Sequence, residues 1–245
     1  MKKVLGCLRR ACEEFCMIKD GDKIAVGVSG GKDSILLLYA LALYRRYRKL
    51  EYELYGVTVD LGFPGFDTEP IRAFLESLEI PYHVVKTDIA QVVFDIRQEP
   101  NPCSLCAKMR KGAFYEEVNR LGCNKAAFAH NLEDLLETLL LSMIYEGKLG
   151  VFSPVTYLSR AGVTLIRPFL YLPEKEIIGQ VRALSLPVVK NPCPVDGATK
   201  RKDARALLDH LRSYNPKVKE SLLAAIRNTH NYHLWDNLPK DRGQS

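Results

Sequence analysis

The stretch Ile24–Leu38, "IAVGVSGGKDSILLL", joins two apolar runs through Ser-Gly-Gly-Lys-Asp-Ser. The run before it, "KIAVGVS", is short and β-rich enough for a strand buried on both faces, and the run after it has helical length. Two adjacent glycines let the backbone approach a phosphate, and the start of a helix offers unpaired N–H groups to an anion. An ordinary P-loop reads G-x-x-x-x-G-K-[ST]; here Gly31-Lys32 is present, but Val26 stands for the first glycine and Asp33 for the hydroxyl. Lys32 adds a point charge, Ser29 and Ser34 add hydroxyl donors, and Asp33 points to a role through Mg²⁺. Ser29, Gly30, Gly31, Lys32, Asp33 and Ser34 are therefore candidate nucleotide-binding residues. The alternative is a serine-capped, glycine-rich turn without a ligand.

Strand and helix patterns alternate outward from this loop. A helix is expected from about Val4 to Ile18, ahead of the first strand. "YELYGVTVD" and "PYHVVKT" read as strands, with the helical "EPIRAFLESLEI" between them and Pro70 suited to its first turn. "CAKMRKGAFYEEVNRLG" reads as a helix after a proline-bearing loop, "KAAFA" as a strand and "NLEDLLETLLLSMIYEG" as an apolar helix. From Pro173 onward the pattern is helical: "PEKEIIGQVRALS", "ATKRKDARALLDHLRSY" and "PKVKESLLAAIRNTHNYHLWD". The alternation argues an α/β fold, a parallel sheet with helices on both faces, followed by a mainly helical C-terminal part. The expected division is an N-terminal helix over 1–20, a nucleotide-binding domain over 21–170 and a helical region over 171–245. The last residues, "KDRGQS", are expected to fray.

With 47% apolar and 26% charged residues over 245 positions, the composition is that of a soluble globular protein. No apolar run reaches membrane-spanning length, and Arg9, Arg10, Glu13 and Glu14 interrupt any signal-peptide core. Seven cysteines, an odd number, argue against a disulfide framework and for reduced thiols, so the expected location is cytoplasmic. Basic clusters at Tyr44–Lys49, Lys108–Lys111 and Lys200–Arg205 are either solvated helix faces or contacts to nucleic acid. Two of the three lie beside cysteines, which tilts the reading toward nucleic acid.

Cys103 and Cys106 form C-x-x-C in "NPCSLCAKMRKG", and Cys193 stands far away in "KNPCPVDG". A redox pair would lack the thioredoxin context, and a zinc finger would lack its second pair of ligands. An iron–sulfur cluster needs thiolates and tolerates an iron left open. Spacing alone leaves zinc and cluster level. In "AHNLEDLLET", His130 follows a predicted strand at the sheet's carboxyl edge, and Asp134, four residues on, would share its helical face. Cys7, Cys12, Cys16 and Cys123 fit small buried hydrophobes, the alternative being a second redox or metal site at Cys12 and Cys16, which would share a helix face.

Ser-Gly-Gly-Lys-Asp-Ser after a strand resembles the PP-loop of the ATP pyrophosphatase superfamily, which cleaves ATP between its α- and β-phosphates and transfers AMP to a substrate oxygen. "VTVDLGFPGF" is similar to that superfamily's second-strand segment, which implies that Val28, Thr58 and Asp60 lie near adenosine. "NPCSLCAKMRKG", "AHNLEDLLETLLLSMIYEGKLG", "TLIRPFLYLPEKEI" and "NPCP" match, in order, the TtcA family of tRNA 2-thiocytidine synthetases over about Asp22 to Asp236. The resemblance implies that Cys103, Cys106 and Cys193 hold a 4Fe–4S cluster whose open iron carries the transferred sulfur. It also places His130, Asp134, Glu137 and Thr138 on the family's G-H-x-x-D-D-x-x-E-T pattern, with Ala129 and Glu133 as departures, and implies that His130 is among the ATP-binding residues.

The chemistry so implied adenylates a pyrimidine C2 oxygen, so that AMP leaves in place of oxide. Asp33, Asp134, Lys32 and Arg110 are the candidate catalytic residues, with ATP, Mg²⁺ and the cluster as cofactors. Arg110 and Lys111 would face tRNA, the implied partner. The sulfur donor would be a cysteine desulfurase or free sulfide, and the apolar helix after Asn131 is either core or a homodimer interface. Two other readings stay open: thiolation of uridine or of a small molecule by the same adenylating loop, and a non-catalytic RNA-binding module with structural zinc.

Overall fold

The apolar run ahead of the glycines is strand β1, Lys23–Gly27, in which Ile24, Ala25 and Val26 are wholly buried. A computed structural model describes residues 1–98, 102–190, 192–195, 200–228 and 230. Helix α1 (Lys2–Glu14) precedes β1, and α2 (Lys32–Arg48), β2 (Glu53–Asp60), α3 (Glu69–Ser77) and β3 (Tyr82–Lys86) follow it. Next come α4 (Pro102–Arg120), β4 (Lys125–Ala127), α5 (Leu132–Glu146), β5 (Val155–Leu158) and β6 (Val163–Ile166). Helices α6 (Glu174–Ala183), α7 (Arg201–Tyr214) and α8 (Val218–Arg227) complete the described chain. The expected helix tail to Asp236 and the expected fraying of "KDRGQS" lie outside the described residues.

One six-stranded sheet has the order β3-β2-β1-β4-β6-β5. All neighbours pair in parallel except β5 with β6. The expected α/β architecture is present, with one amendment: the sheet ends in an antiparallel hairpin. Its strands have four residues each, too few to show a period, and Gly162 at φ +66° closes the turn. A second amendment concerns Cys103, which sits in the first turn of α4 rather than in a loop before it, because Pro102 pre-sets the first helical φ. A π-helical turn, Gln91–Ile96, lies between β3 and α4 and has no local sequence signal.

Helix α2 is apolar nearly all round because it is covered on both sides. Ile35 to Leu38 pack in one core with Leu8 of α1 and with Ile177 and Val181 of α6. On the other sheet face Phe114 and Val118 of α4 cover Ala25, Val57, Ala126 and Val163. Burying a side chain such as Phe114 is worth about 1.5–3 kcal/mol. A third cluster joins Leu132, Leu136 and Leu140 of α5 to Ala204 and Leu208 of α7 and Val218 of α8. Chain direction across the sheet reverses between β1 and β4, and the crevice outside their carboxyl ends is where open α/β sheets bind ligands.

Candidate active site

The loop after β1 is tied internally before any ligand arrives. Ser29 N donates to Ser34 Oγ at 3.2 Å, and Ser34 Oγ donates to the Gly31 carbonyl at 2.9 Å. Gly30 has φ +82°, the left-handed region that glycine adopts without strain. The chain also approaches closely here: a Cβ on Gly30 would lie 3.3 Å from Val189 Cβ, and Val189 N donates to the Gly30 carbonyl at 2.9 Å. The segment after α6 thus seats against the loop. Val28 donates its N–H to Val57 O, and its carbonyl accepts from Thr58 Oγ1 at 2.6 Å. Thr58 is buried, and its hydroxyl also accepts from Tyr82. Asp60 holds the next turn, Oδ1 accepting from Gly62 N at 3.0 Å.

Charged groups from four helices converge on the loop. Lys32 Nζ lies 2.9 Å from Asp33 Oδ2 and 2.9 Å from Glu174 Oε1 at the start of α6. Burial works against the Lys32 charge, but the two carboxylates outweigh it and the ammonium is held above its ordinary value. Asn131 Nδ2 donates to Asp33 Oδ1 at 3.1 Å. Asn131 also caps α5 in a reciprocal box, its Oδ1 accepting from Asp134 N and its N–H donating to Asp134 Oδ2. Asp134 is therefore fixed at a helix N-terminus beside Asp33. Burial raises its carboxyl above the usual value, the facing Glu137 and Asp33 add to that, and Arg201 opposes it. Two carboxylates and an amide oxygen at one loop are hard oxygen donors of the kind that hold Mg²⁺ with phosphates.

Helix α7 docks on this cluster through its arginines. Arg201 Nη1 reaches Asp134 Oδ1 at 3.2 Å, and Arg205 Nε reaches Glu137 Oε1 at 2.8 Å. Glu137 is only 1% exposed. Lys219 of α8 pairs with buried Glu133 at 2.6 Å.

His130 and Arg167 stand at the carboxyl ends of the neighbouring strands β4 and β6. His130 Nδ1 and Arg167 Nε are both buried and lack a hydrogen-bond partner among the described residues. Burial pushes the imidazole down to about 4, helped by the charges of Arg167, Arg201 and Lys111, so His130 is neutral at pH 7.

Exposed Cys103 and half-buried Cys106 lie one turn apart at the start of α4, with Arg110 a further turn on. Burial raises the Cys106 thiol, Arg110 lowers it, and the nearby Cys193 and Cys103 raise it, which places the three sulfurs in one neighbourhood. Among the described residues no trio of Cys, His, Asp or Glu is drawn in to coordination distance. Three thiols beside a helix N-terminus and a guanidinium are nonetheless the donor chemistry of an iron–sulfur cluster, and they fit that group.

The model of the PP-loop domain with ATP-binding character matches residues 6–211. A tRNA-cytidine(32) 2-sulfurtransferase of Geobacter sulfurreducens is 40% identical over 238 residues, 96% of this chain and 93% of the relative. Another from Citrifermentans bemidjiense is 40% identical over 93% of this chain and 90% of its own length. The chain belongs to this family. Among solved structures, the U34-tRNA thiolase NcsA of Methanococcus maripaludis with its [4Fe-4S] cluster superposes with TM-score 0.73 at 26% identity, covering 90% of this chain and 76% of that one.

Measured against the PP-loop family pattern, the structure brings together Ser29, Gly30, Gly31, Lys32, Asp33, Ser34 and Asp134 around one crevice. His130 does not share a helical face with Asp134: α5 begins at Leu132, and His130 precedes its cap. Arg201 and Arg205, in a cluster that reads as a nucleic-acid contact, turn inward to carboxylates. Glu137 is a buried anchor for α7, and Thr138 Oγ1 bonds the Asp134 carbonyl. Asn131, Glu174, Arg167 and Val189 were not singled out by sequence reasoning. Only Asn131 carried a signal, the Asn-x-x-Asp capping pattern.

Proposed function

We propose that this protein is an ATP-dependent tRNA sulfurtransferase that replaces the C2 oxygen of cytidine 32 with sulfur. The observation that carries the reading is the coincidence of an adenylating loop with a three-thiol neighbourhood in a chain 40% identical to tRNA-cytidine(32) 2-sulfurtransferases. The cytidine oxygen attacks the α-phosphate of ATP, pyrophosphate leaves, and sulfide then displaces AMP at C2. The N–H groups of Ser29 to Ser34 cradle the departing pyrophosphate, and Lys32 offsets its charge. Asp33 and Asp134 would hold Mg²⁺, with Glu174 keeping Lys32 charged and aimed at the loop. Val28, Thr58 and Asp60 border the adenosine side, and His130 lies toward the substrate side.

Cys103, Cys106 and Cys193 would hold a 4Fe–4S cluster, whose chemistry would be to supply the sulfur. Burial holds the Cys106 thiol above its ordinary value, and Arg110 offsets part of that toward the thiolate that such ligation needs. The exposed Lys108, Arg110 and Lys111 on α4 face the tRNA backbone. Among the described residues no helix is long and apolar enough to cross a membrane, in keeping with a cytoplasmic enzyme fed by a desulfurase or by sulfide. Exposed Met143, Ile144, Tyr145 and Leu149 near the end of α5 suit a homodimer contact.

Uridine is the second reading, favoured by the likeness to a U34-tRNA thiolase. Anaerobic purification followed by nucleoside analysis of thiolated tRNA decides between them. The expected outcome is about four irons and four sulfides per chain, 2-thiocytidine formed with ATP, and loss of both in Cys193→Ser. Zinc without sulfide under strict anaerobiosis would overturn the cluster, and 2-thiouridine as sole product would replace the nucleoside.

A further inference from the structure

Arg167 is 8% exposed and pairs with no carboxylate among the described residues. Its Nη1 donates to the Ser153 carbonyl and to Thr156 Oγ1 at 3.2 Å, and its guanidinium lies over the Phe152 ring at 5.0 Å. That leaves Nε in the interior with no acceptor among the described residues. Just past the end of neighbouring β4, the His130 ring lies 5.0 Å from the same Phe152, and its Nδ1 also lacks a partner among the described residues. Buried polar atoms are almost always paired, so two without a partner beside one aromatic ring point to a ligand that supplies one.

Phe152 also lines an open cavity of about 370 Å³, together with Thr138, Ser142, Gly150, Val151 and Arg201. That is at the small end of ligand pockets, about 300–1,000 Å³. Arg201 also reaches Asp134, so the cavity borders the nucleotide side. Phe152 sits on the irregular segment between α5 and β5, which can shift without breaking a helix or strand.

Resting on the cytidine reading above, we propose that Arg167, His130 and Phe152 form the pocket that receives the flipped target cytosine, Phe152 against its ring and the other two on its polar edge. Base-acting enzymes read an extruded base in this manner, by stacking and by hydrogen bonds to its Watson–Crick edge. Cytosine presents an acceptor at N3 and a donor at N4. The Arg167 Nε–H donates to N3, and the neutral imidazole accepts from N4–H. Uracil presents N3–H and O4 instead, so a donor would face a donor and a buried acceptor an acceptor. Donation to N3 also draws electron density from C2, the atom to be attacked.

The test is a photocrosslink of the holoprotein to an anticodon stem-loop carrying 5-iodocytidine at position 32, with the crosslinked peptide mapped. The expected site lies within residues 147–167, and Phe152→Leu removes it. In parallel, Arg167→Met is expected to lower cytidine thiolation and the cytosine-over-uracil preference by about 10- to 100-fold, with iron content and ATP affinity within twofold of wild type. Arg167→Lys, keeping charge without the fork, recovers part of the rate and little of the preference. A crosslink elsewhere, none while RNA is bound, or wild-type base preference in both Arg167→Met and Phe152→Leu overturns the pocket. Crosslinking needs no turnover, so wild-type protein that crosslinks here yet forms no thiolated nucleoside refutes the proposed reaction and leaves the pocket standing.

Discussion

Glu137→Gln is the most informative single change to the scaffold of the site. The carboxylate is 1% exposed, whereas its partners Arg201 and Arg205 are 46% and 49% exposed. Breaking a fully buried pair costs about 3–5 kcal/mol, because the orphaned charge stays buried. An exposed pair is worth about 0–1 kcal/mol. Here the arginines can rehydrate once released, and removing the carboxylate also relieves its own desolvation. Two charge-assisted hydrogen bonds are lost, so the expected destabilisation is about 1–3 kcal/mol. A double-mutant cycle with Arg205→Gln, read from urea midpoints, should return a coupling of about 1–2 kcal/mol. ATP affinity should fall in Glu137→Gln, because α7 carries Arg201 to Asp134. Coupling below about 0.3 kcal/mol would refute the reasoning and show that Ala204 and Leu208 hold α7 by apolar packing alone.

Gly30→Ala forces a side chain into the left-handed region, about 1–2 kcal/mol, and presses on Val189; ATP affinity measured calorimetrically should weaken by about tenfold or more. Gly31→Ala, at φ −72° with only Ser29 Oγ near, should leave stability close to wild type. Thr58→Val should lower stability by about 1–3 kcal/mol in urea by stranding the Val28 carbonyl and the Tyr82 hydroxyl, and Thr58→Ser should recover most of it. His130 titrates near 4 in the folded protein against an ordinary 6.5, so the folded state binds fewer protons there. Its contribution is complete above pH 6.5 and is lost as pH falls toward 4, with a slope of up to about 1.4 kcal/mol per unit; His130→Asn should flatten that part of the stability profile.

What was legible in the sequence was local. The β1–loop–α2 unit could be read because strand, glycines, charge and helix are contiguous, and the fully apolar α2 followed from its position between two layers. The hairpin of β5 and β6 escaped because four-residue strands show no period. Charge clusters misled where the partner was remote. Arg205 reads as a surface cation until Glu137, 68 residues earlier, is placed beneath it. Glu174 reads as an ordinary helix-start acid, and only the fold sets it against Lys32. Arg167 differs in kind: its significance lies in a partner it lacks, and no spacing rule reveals an absent acceptor.

The hydrogen bond from Val189 to Gly30 also sets a distance. Cys193 follows Val189 by four residues, and a chain spans at most about 3.6 Å per residue, so that cysteine is leashed within about 14 Å of its anchor on the glycines. A loop movement large enough to take up the slack would reach Cys193 through the same tether. If the loop holds pyrophosphate and Cys193 a cluster, as proposed, the two halves of the reaction, though coded more than 150 residues apart, share one mechanical link.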